Sequence, residues 1–176
     1  ENAVCCRLPG TDGKAKMSKS LGNCIYLSDT SKEIKKKVNS MYTDPEHLQI
    51  SDSGHVEGNV VFTYLDAFST PEHFAQFLPE YANLDEMKDH YRRGGLGDGT
   101  CKKFLFNIME SFLQPIRERR AMYEQDIPKV YEILRKGSET ARAEAAKTLA
   151  DVRKAMKIDY FDDAELIQEH TRKYSK

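Results

Sequence analysis

The sequence predicts a mainly α-helical chain built as a helical bundle. Two observations carry this. From residue 28 onward, apolar residues recur at i, i+3, i+4 and i+7, the period of one helix face. Between these stretches stand Ser, Thr, Asn and Asp cap candidates and Pro or Gly punctuation, at loop lengths typical of bundles. Two short apolar runs stand near the start: Ala3–Leu8, read as the end of a strand, and Cys24–Leu27, read as extended or turn-like. The expected organisation is therefore a short leading segment, 1–27, a helical domain, 28–161, and a C-terminal helix or tail, 162–176.

The elements follow in order. Ser28, Asp29, Thr30 and Ser31 offer N-caps to a helix over Lys32–Met41, with Ile34, Val38 and Met41 on one face. Asp44-Pro45 stops it, because the residue before proline is driven out of helical geometry. His47–Glu57 reads as a loop, and its His55, lacking an acid at an informative spacing, reads as a surface histidine. Asn59 caps a helix through Phe68. Its aromatics Phe62, Tyr64 and Phe68 lie at helical spacing and read as core rather than as base-stacking groups. Thr70-Pro71 starts a helix that Pro79 ends. Asp85–Arg93 is a short amphipathic helix broken by Gly94-Gly95.

The longest periodic segment is Thr100–Gln125, with Phe104, Leu105, Ile108, Met109, Phe112, Leu113 and Ile116 on its apolar side and a kink expected at Pro115. Asp126 caps a further helix that should stop at Gly137. Ser138-Glu139 caps an alanine-rich one reaching about Lys157, and Asp162–Lys176 forms a last, frayed helix.

Composition sets the bounds. The 176 residues are 39% apolar and 31% charged, with net charge −1 and mean hydropathy −0.67. No run approaches the roughly eighteen apolar residues of a membrane span, so no membrane partner is expected. Near-neutrality means that any RNA contact comes from local patches. Four cysteines, Cys5, Cys6, Cys24 and Cys101, lack metal-site spacing. They read as core thiols of a reducing cytoplasm, with no metal held by protein ligands.

The feature richest in chemistry is Lys16-Met17-Ser18-Lys19-Ser20, set within the polar stretch Gly10–Asn23. Two lysines flank a small hydroxyl in a glycine-punctuated loop. Lysine serves phosphate as a compact point charge, and hydroxyls and loop N–H groups add hydrogen bonds. A cationic loop of this kind suits a polyphosphate whose charge grows as it leaves.

Lys16–Ser20, followed by Leu21-Gly22-Asn23, resembles the Lys-Met-Ser-Lys-Ser signature of class I aminoacyl-tRNA synthetases. Met41-Tyr-Thr-Asp-Pro45, Gly54–Phe68, Tyr91–Asp98 and Pro115–Arg120 follow in the order found in the C-terminal half of the bacterial-type tryptophanyl-tRNA synthetase family. The resemblance runs from about Gly10 to about Phe161. It implies that 1–27 ends an α/β Rossmann-like catalytic domain and that 28–161 is an anticodon-binding bundle.

It also implies that tryptophan is activated with ATP and Mg²⁺, then transferred to tRNA(Trp), with Lys16 and Lys19 catalytic and Lys16, Met17, Ser18, Lys19 and Ser20 holding ATP. Candidate tRNA contacts are Arg117, Arg119, Arg120, Lys129, Tyr131 and Arg135; the cluster Arg117–Arg120 reads equally as an intrahelical charge network. The lysine run Lys32, Lys35, Lys36 and Lys37 reads first as a solvated helix face.

The other class I signature, a His-x-Gly-His pair, is absent from the sequence, and position 1 is Glu. The resemblance therefore implies a fragment, inactive alone, whose family dimerises mainly through the other half. A tyrosyl or methionyl enzyme, a non-catalytic RNA-binding module and a helical protein-interaction domain stay open on the sequence alone.

Overall fold

The computed structural model describes residues 7–175. Cys5, Cys6 and most of the expected Ala3–Leu8 strand lie outside the described residues. Those residues are mainly helical, with seven helices: α1 Ser31–Asn39, α2 Val60–Phe68, α3 Pro71–Phe77, α4 Leu84–Arg93, α5 Asp98–Glu124, α6 Ile127–Ala155 and α7 Ala164–Tyr174. Among them no strand forms. The leading segment contributes one isolated antiparallel bridge, Pro9 to Lys16, and the run at Cys24 is irregular.

The chain divides into two compact units, with the division between Ala121 and Met122. The first holds the loop segment from residue 7, α1 to α4 and most of α5. The expected division near residue 27 falls inside it.

The caps explain where the helices of the first unit begin. Thr30 and Glu33 close a reciprocal capping box on α1, in which Thr30 N–H donates to Glu33 Oε2 at 2.7 Å and Glu33 N–H to Thr30 Oγ1 at 3.3 Å. Asn59 Oδ1 accepts the Val61 N–H at 3.1 Å and starts α2. Pro71 occupies the first position of α3, where its missing N–H costs no hydrogen bond. Gly94 ends α4 at φ 82°, a left-handed conformation that side chains resist.

The core is continuous. Ile34 and Val38 of α1, Val61, Phe62, Tyr64 and Leu65 of α2, Phe74 of α3, Met87 and Tyr91 of α4, and Phe104, Leu105 and Ile108 of α5 are all buried. Each such side chain contributes about 1.5–3 kcal/mol of burial. Phe74 meets Phe104 at 4.6 Å between ring centroids, and Phe62 meets Tyr91 at 4.8 Å. The stripe expected on α5 is buried as far as Leu113 except at Phe112, which is 53% exposed. α5 continues through Pro115 as one helix.

Burying Tyr91 requires satisfying its hydroxyl. That group donates to Asp98 Oδ1 at 2.8 Å and accepts from Asn59 Nδ2 at 3.3 Å. One polar knot thereby joins the starts of α2 and α5 to the end of α4.

The second unit holds α6, capped by Asp126 through the Lys129 N–H at 3.1 Å, and α7, capped by Asp163 through the Leu166 N–H at 2.9 Å. Gly137 was expected to end one helix and Ser138 to begin another. Instead α6 runs unbroken through both. A glycine in a helix interior costs only about 1 kcal/mol, and strong helix formers stand on both sides. The Thr140 hydroxyl donates back to the Lys136 carbonyl at 3.1 Å, across the turn that contains Gly137.

Candidate functional site

The loop Gly10–Asn23 is organised by one side chain. Asn23 is 4% exposed. Its Oδ1 accepts the Ser18 N–H at 2.8 Å. Its Nδ2 donates to Asp12 Oδ1 at 3.1 Å and to the Lys16 carbonyl at 3.3 Å. Its own carbonyl accepts the Thr11 N–H at 2.9 Å. A single amide therefore ties both ends of Lys16-Met17-Ser18 to the loop's entry. Amides suit this role because they donate and accept at once.

The rest of the loop is braced by backbone. Gly10 N–H donates to the Ala15 carbonyl at 2.7 Å, Met17 N–H to the Leu8 carbonyl at 3.4 Å and Gly22 N–H to the Lys19 carbonyl at 3.1 Å. Underneath, the Tyr64 hydroxyl of α2 donates to the Pro9 carbonyl at 2.8 Å. The amide of Asn23 holds the Asp12 carboxyl below its ordinary range, and the Lys14 N–H on the same oxygen adds to this.

On this frame Lys16, Lys19 and Ser20 are exposed, while Met17 and Ser18 are half-buried. The hydroxyls of Ser18 and Ser20 lie 2.9 Å apart. The two ammonium groups thus stand on a loop whose backbone is fixed from below. That arrangement can meet a polyanion without first ordering the chain.

Beside the loop runs a groove of about 600 Å³, lined by Met17, Ser18, Lys19, residues 24–28 and, from α5, Ile116 and Arg120. Cys24, Ile25 and Ile116 contribute apolar side chains to its lining. Its far wall is held in place by Asp29, whose Oδ2 accepts the Tyr26 N–H at 2.8 Å and pairs with Lys37 Nζ. Lys37 also lies 4.5 Å from the Tyr26 ring centre. One member of the lysine run is therefore structural, whereas Lys32 and Lys36 are exposed.

The candidate RNA-contacting residues do not share one setting. Arg117 is half-buried, ion-paired with Glu110 and donates to the Asp29 carbonyl at 3.4 Å. Arg119 is exposed. Arg120 joins Lys19 in the groove, a placement that no spacing in the sequence announces. Lys129, Tyr131 and Arg135 are exposed on α6, in the second unit.

His55 needs a correction. It is exposed as expected, but it has an acid partner: its Nδ1 lies 2.9 Å from Asp44 Oδ2, which also accepts the His55 N–H at 2.7 Å. That hydrogen bond and the carboxylate's charge raise the imidazole above its ordinary value. Burial pushes Asp44 up, but bonds from the Glu46 and His55 N–H groups and from the imidazole outweigh it and leave the carboxyl lowered. The partner stands eleven residues away in a loop, where no helical or strand period points to it.

The family model of class I tRNA synthetases (W and Y) matches residues 5–114, more than half of the chain. The chain belongs to the class I tRNA synthetases (W and Y). Its curated relatives include tryptophan–tRNA ligases. The ligase of Clostridium longisporum is 56% identical over 157 residues, covering 89% of this chain and 43% of that protein. The ligase of Streptococcus pyogenes serotype M3 is 53% identical over 161 residues, covering 92% and 45%.

Among solved structures, tryptophanyl-tRNA synthetase from Campylobacter jejuni complexed with ADP and tryptophan superposes with a TM-score of 0.66 at 26% identity, over 86% of this chain and 43% of that one. This synthetase chain thus spans less than half the length of the relatives it matches. No helix among its described residues is long and apolar enough to cross a membrane.

Proposed function

We propose that the chain is the C-terminal part of a tryptophan–tRNA ligase, carrying the loop that closes on ATP and helices that contact tRNA(Trp). The observation that carries this reading is 50–56% identity to tryptophan–tRNA ligases over about nine-tenths of the chain. In the reaction a tryptophan carboxylate oxygen attacks the α-phosphorus of ATP. The bond from that phosphorus to the bridging oxygen breaks, and pyrophosphate leaves with the electron pair. A ribose hydroxyl at the 3′ end of the tRNA then attacks the carbonyl carbon of tryptophanyl adenylate, losing its proton as the acyl–phosphate bond breaks and AMP leaves.

Little covalent work falls to protein groups in such a transfer, so positioning and charge stabilisation dominate. Lys16 and Lys19 meet the phosphates, and Lys19 acts mainly as pyrophosphate charge develops. Ser18 and Ser20 hydrogen-bond phosphate or fix the loop, and Met17 packs beneath it. Mg²⁺ arrives on ATP itself. Among the described residues no group of three or more His, Cys, Asp or Glu is gathered to hold a metal.

The helical part, read as an anticodon-binding bundle, contacts RNA through exposed Arg119, Lys129, Tyr131 and Arg135 and through Arg120. Single-stranded bases are read by stacking and by hydrogen bonds to their edges. Arg117 is instead tied to Glu110. Because the chain spans less than half the length of those ligases, adenylation is expected of a longer protein that pairs as a homodimer and not of this chain alone.

The test is ATP–pyrophosphate exchange in the full-length ligase. Tryptophan should support exchange, and Lys19→Ala should lower kcat by about 10²–10³-fold with a smaller change in KM for ATP. Exchange driven by tyrosine instead would overturn the reading.

A further inference from the structure

We propose that Asn23 is a positioning residue for adenylate formation. It acts through the loop, setting where Ser18 and the two lysines stand when the phosphates arrive. The inference rests on the reading of Lys16–Ser20 as the phosphate loop.

The geometry separates Asn23 from an ordinary loop residue. Its side chain makes three hydrogen bonds, and two of them land on the motif, at the Ser18 N–H and the Lys16 carbonyl. The third lands on Asp12, on the entry side of the loop. Lys16 and Ser18 flank Met17, so their backbone groups fix the local direction of the chain on both sides of it. Through Asp12, and through the Thr11 N–H on its own carbonyl, Asn23 refers that direction to a segment anchored on α2 by Tyr64.

Most of the loop's other bracing bonds join backbone to backbone, beside the Tyr64 hydroxyl on Pro9 and the Lys14 N–H on Asp12. They set its outline, but they do not tie Ser18 to the entry segment. A displacement of about 1 Å in a group that stabilises transition-state charge can cost about 10²-fold in rate. Asn23 therefore affects kcat without touching ATP.

Gly10 belongs to the same device. A Cβ there would sit 2.1 Å from Asn23 Nδ2 and 2.5 Å from its Cγ. A side chain at position 10 must therefore push the amide off its partners. This gives a second, independent way to break the clamp without changing Asn23.

The experiment measures ATP–pyrophosphate exchange in the full-length ligase for Asn23→Ala, Gly10→Ala, the double variant and Lys19→Ala, with tryptophan affinity and thermal melting followed in parallel. Asn23→Ala should lower kcat at least about tenfold while KM for tryptophan stays within about twofold, because the clamp acts only on the step in which charge develops. Gly10→Ala should show the same kcat–KM split. The double variant should be no slower than Asn23→Ala alone, since both changes remove one interaction.

If Asn23→Ala fails to fold, Asn23→Asp serves in its place. It keeps the shape and the acceptor for Ser18 but loses both donated bonds, so kcat should again fall. Unchanged kcat in the folded Asn23 variant, or losses that multiply in the double variant, would overturn the positioning role. Lys19→Ala separates the two ideas. A large loss there beside an unaffected Asn23 variant defeats the clamp alone, whereas an unaffected Lys19→Ala defeats the phosphate-loop reading and the clamp with it.

Discussion

Gly10 and Asn23 pack so closely that no side chain fits between them. An ideal Cβ at position 10 lies 2.1 Å from Asn23 Nδ2. The contact is closer than any real side-chain neighbour, and Asn23 is held by three other bonds, so neither partner can yield cheaply. Gly10→Ala should therefore destabilise the first unit by roughly 1–3 kcal/mol, the usual cost of overpacking. Urea denaturation of the chain checks this. In an Asn23→Ala background most of the penalty should vanish, because the two nearest atoms are gone and the third, Asp12 Oδ1 at 2.8 Å, ends a side chain freed of its bond to Asn23.

The Asp44–His55 pair makes a pH signature. His55 is raised above its ordinary value by the Asp44 carboxylate. A raised imidazole contributes stability that is fully present below its unfolded value, about 6.5, and is lost as pH rises through its folded value. Asp44 is lowered, so its contribution is present above its unfolded value, about 3.9, and fades as pH falls toward the folded one. NMR titration of the histidine Cε1 protons should place His55 above about 6.5. Asp44→Asn should return it toward that value, and an unchanged titration in the variant would show that the carboxylate is not the cause.

Cys101 should be chemically silent in the native state. It is 1% exposed, and burial, with the nearby Asp98 charge, pushes its thiol up to about 12. At pH 8 its thiolate fraction is then only about one in ten thousand, and the thiolate is the reactive form. Alkylation with iodoacetamide followed by mass spectrometry should leave Cys101 unmodified until denaturant unfolds the first unit. Modification at the rate of a free cysteine peptide would contradict the packing around α5.

Gly137 offers a stabilising change. It lies inside α6, and a Cβ there would meet no atom within 4 Å. Gly137→Ala should raise the stability of α6 by about 0.5–1 kcal/mol, because alanine loses less backbone entropy on entering a helix. Thermal unfolding followed by circular dichroism at 222 nm would register the gain. A loss instead would mean that the backbone at this position is not helical.

Much of the fold was legible in the sequence because its signals are local. Asn59 and Thr70 stand next to the helices they start, and the periodic apolar residues Ile34 and Val38 of α1 and Val61, Tyr64 and Leu65 of α2 reach the core where the spacing puts them. Local rules failed at Gly137, where a glycine was read as a stop. Its cost in a helix is smaller than the summed preference of the residues around it. Phe112 failed differently, since helical spacing assigns a face but cannot say where the neighbouring layer ends.

The site divides along the same line. Lys16–Ser20 was legible as a candidate, because a short run of residue types at fixed spacing needs no distant partner to be read. What holds that run was not visible in the same way. In the sequence Asn23 is only the end of the polar stretch Gly10–Asn23, and its bonds reach back five to twelve residues along an irregular path. The pairing of His55 with Asp44 was hidden for the same reason.

The sequence by itself determined the family resemblance, the helices and the cationic loop, since these depend on neighbours a few residues apart. Only the tertiary structure decided that Asn23 clamps the loop and that Arg120, a hundred residues on, lines a groove with Lys19. Contacts at such separations are set by how the core of α1 to α5 packs, and no local preference encodes them.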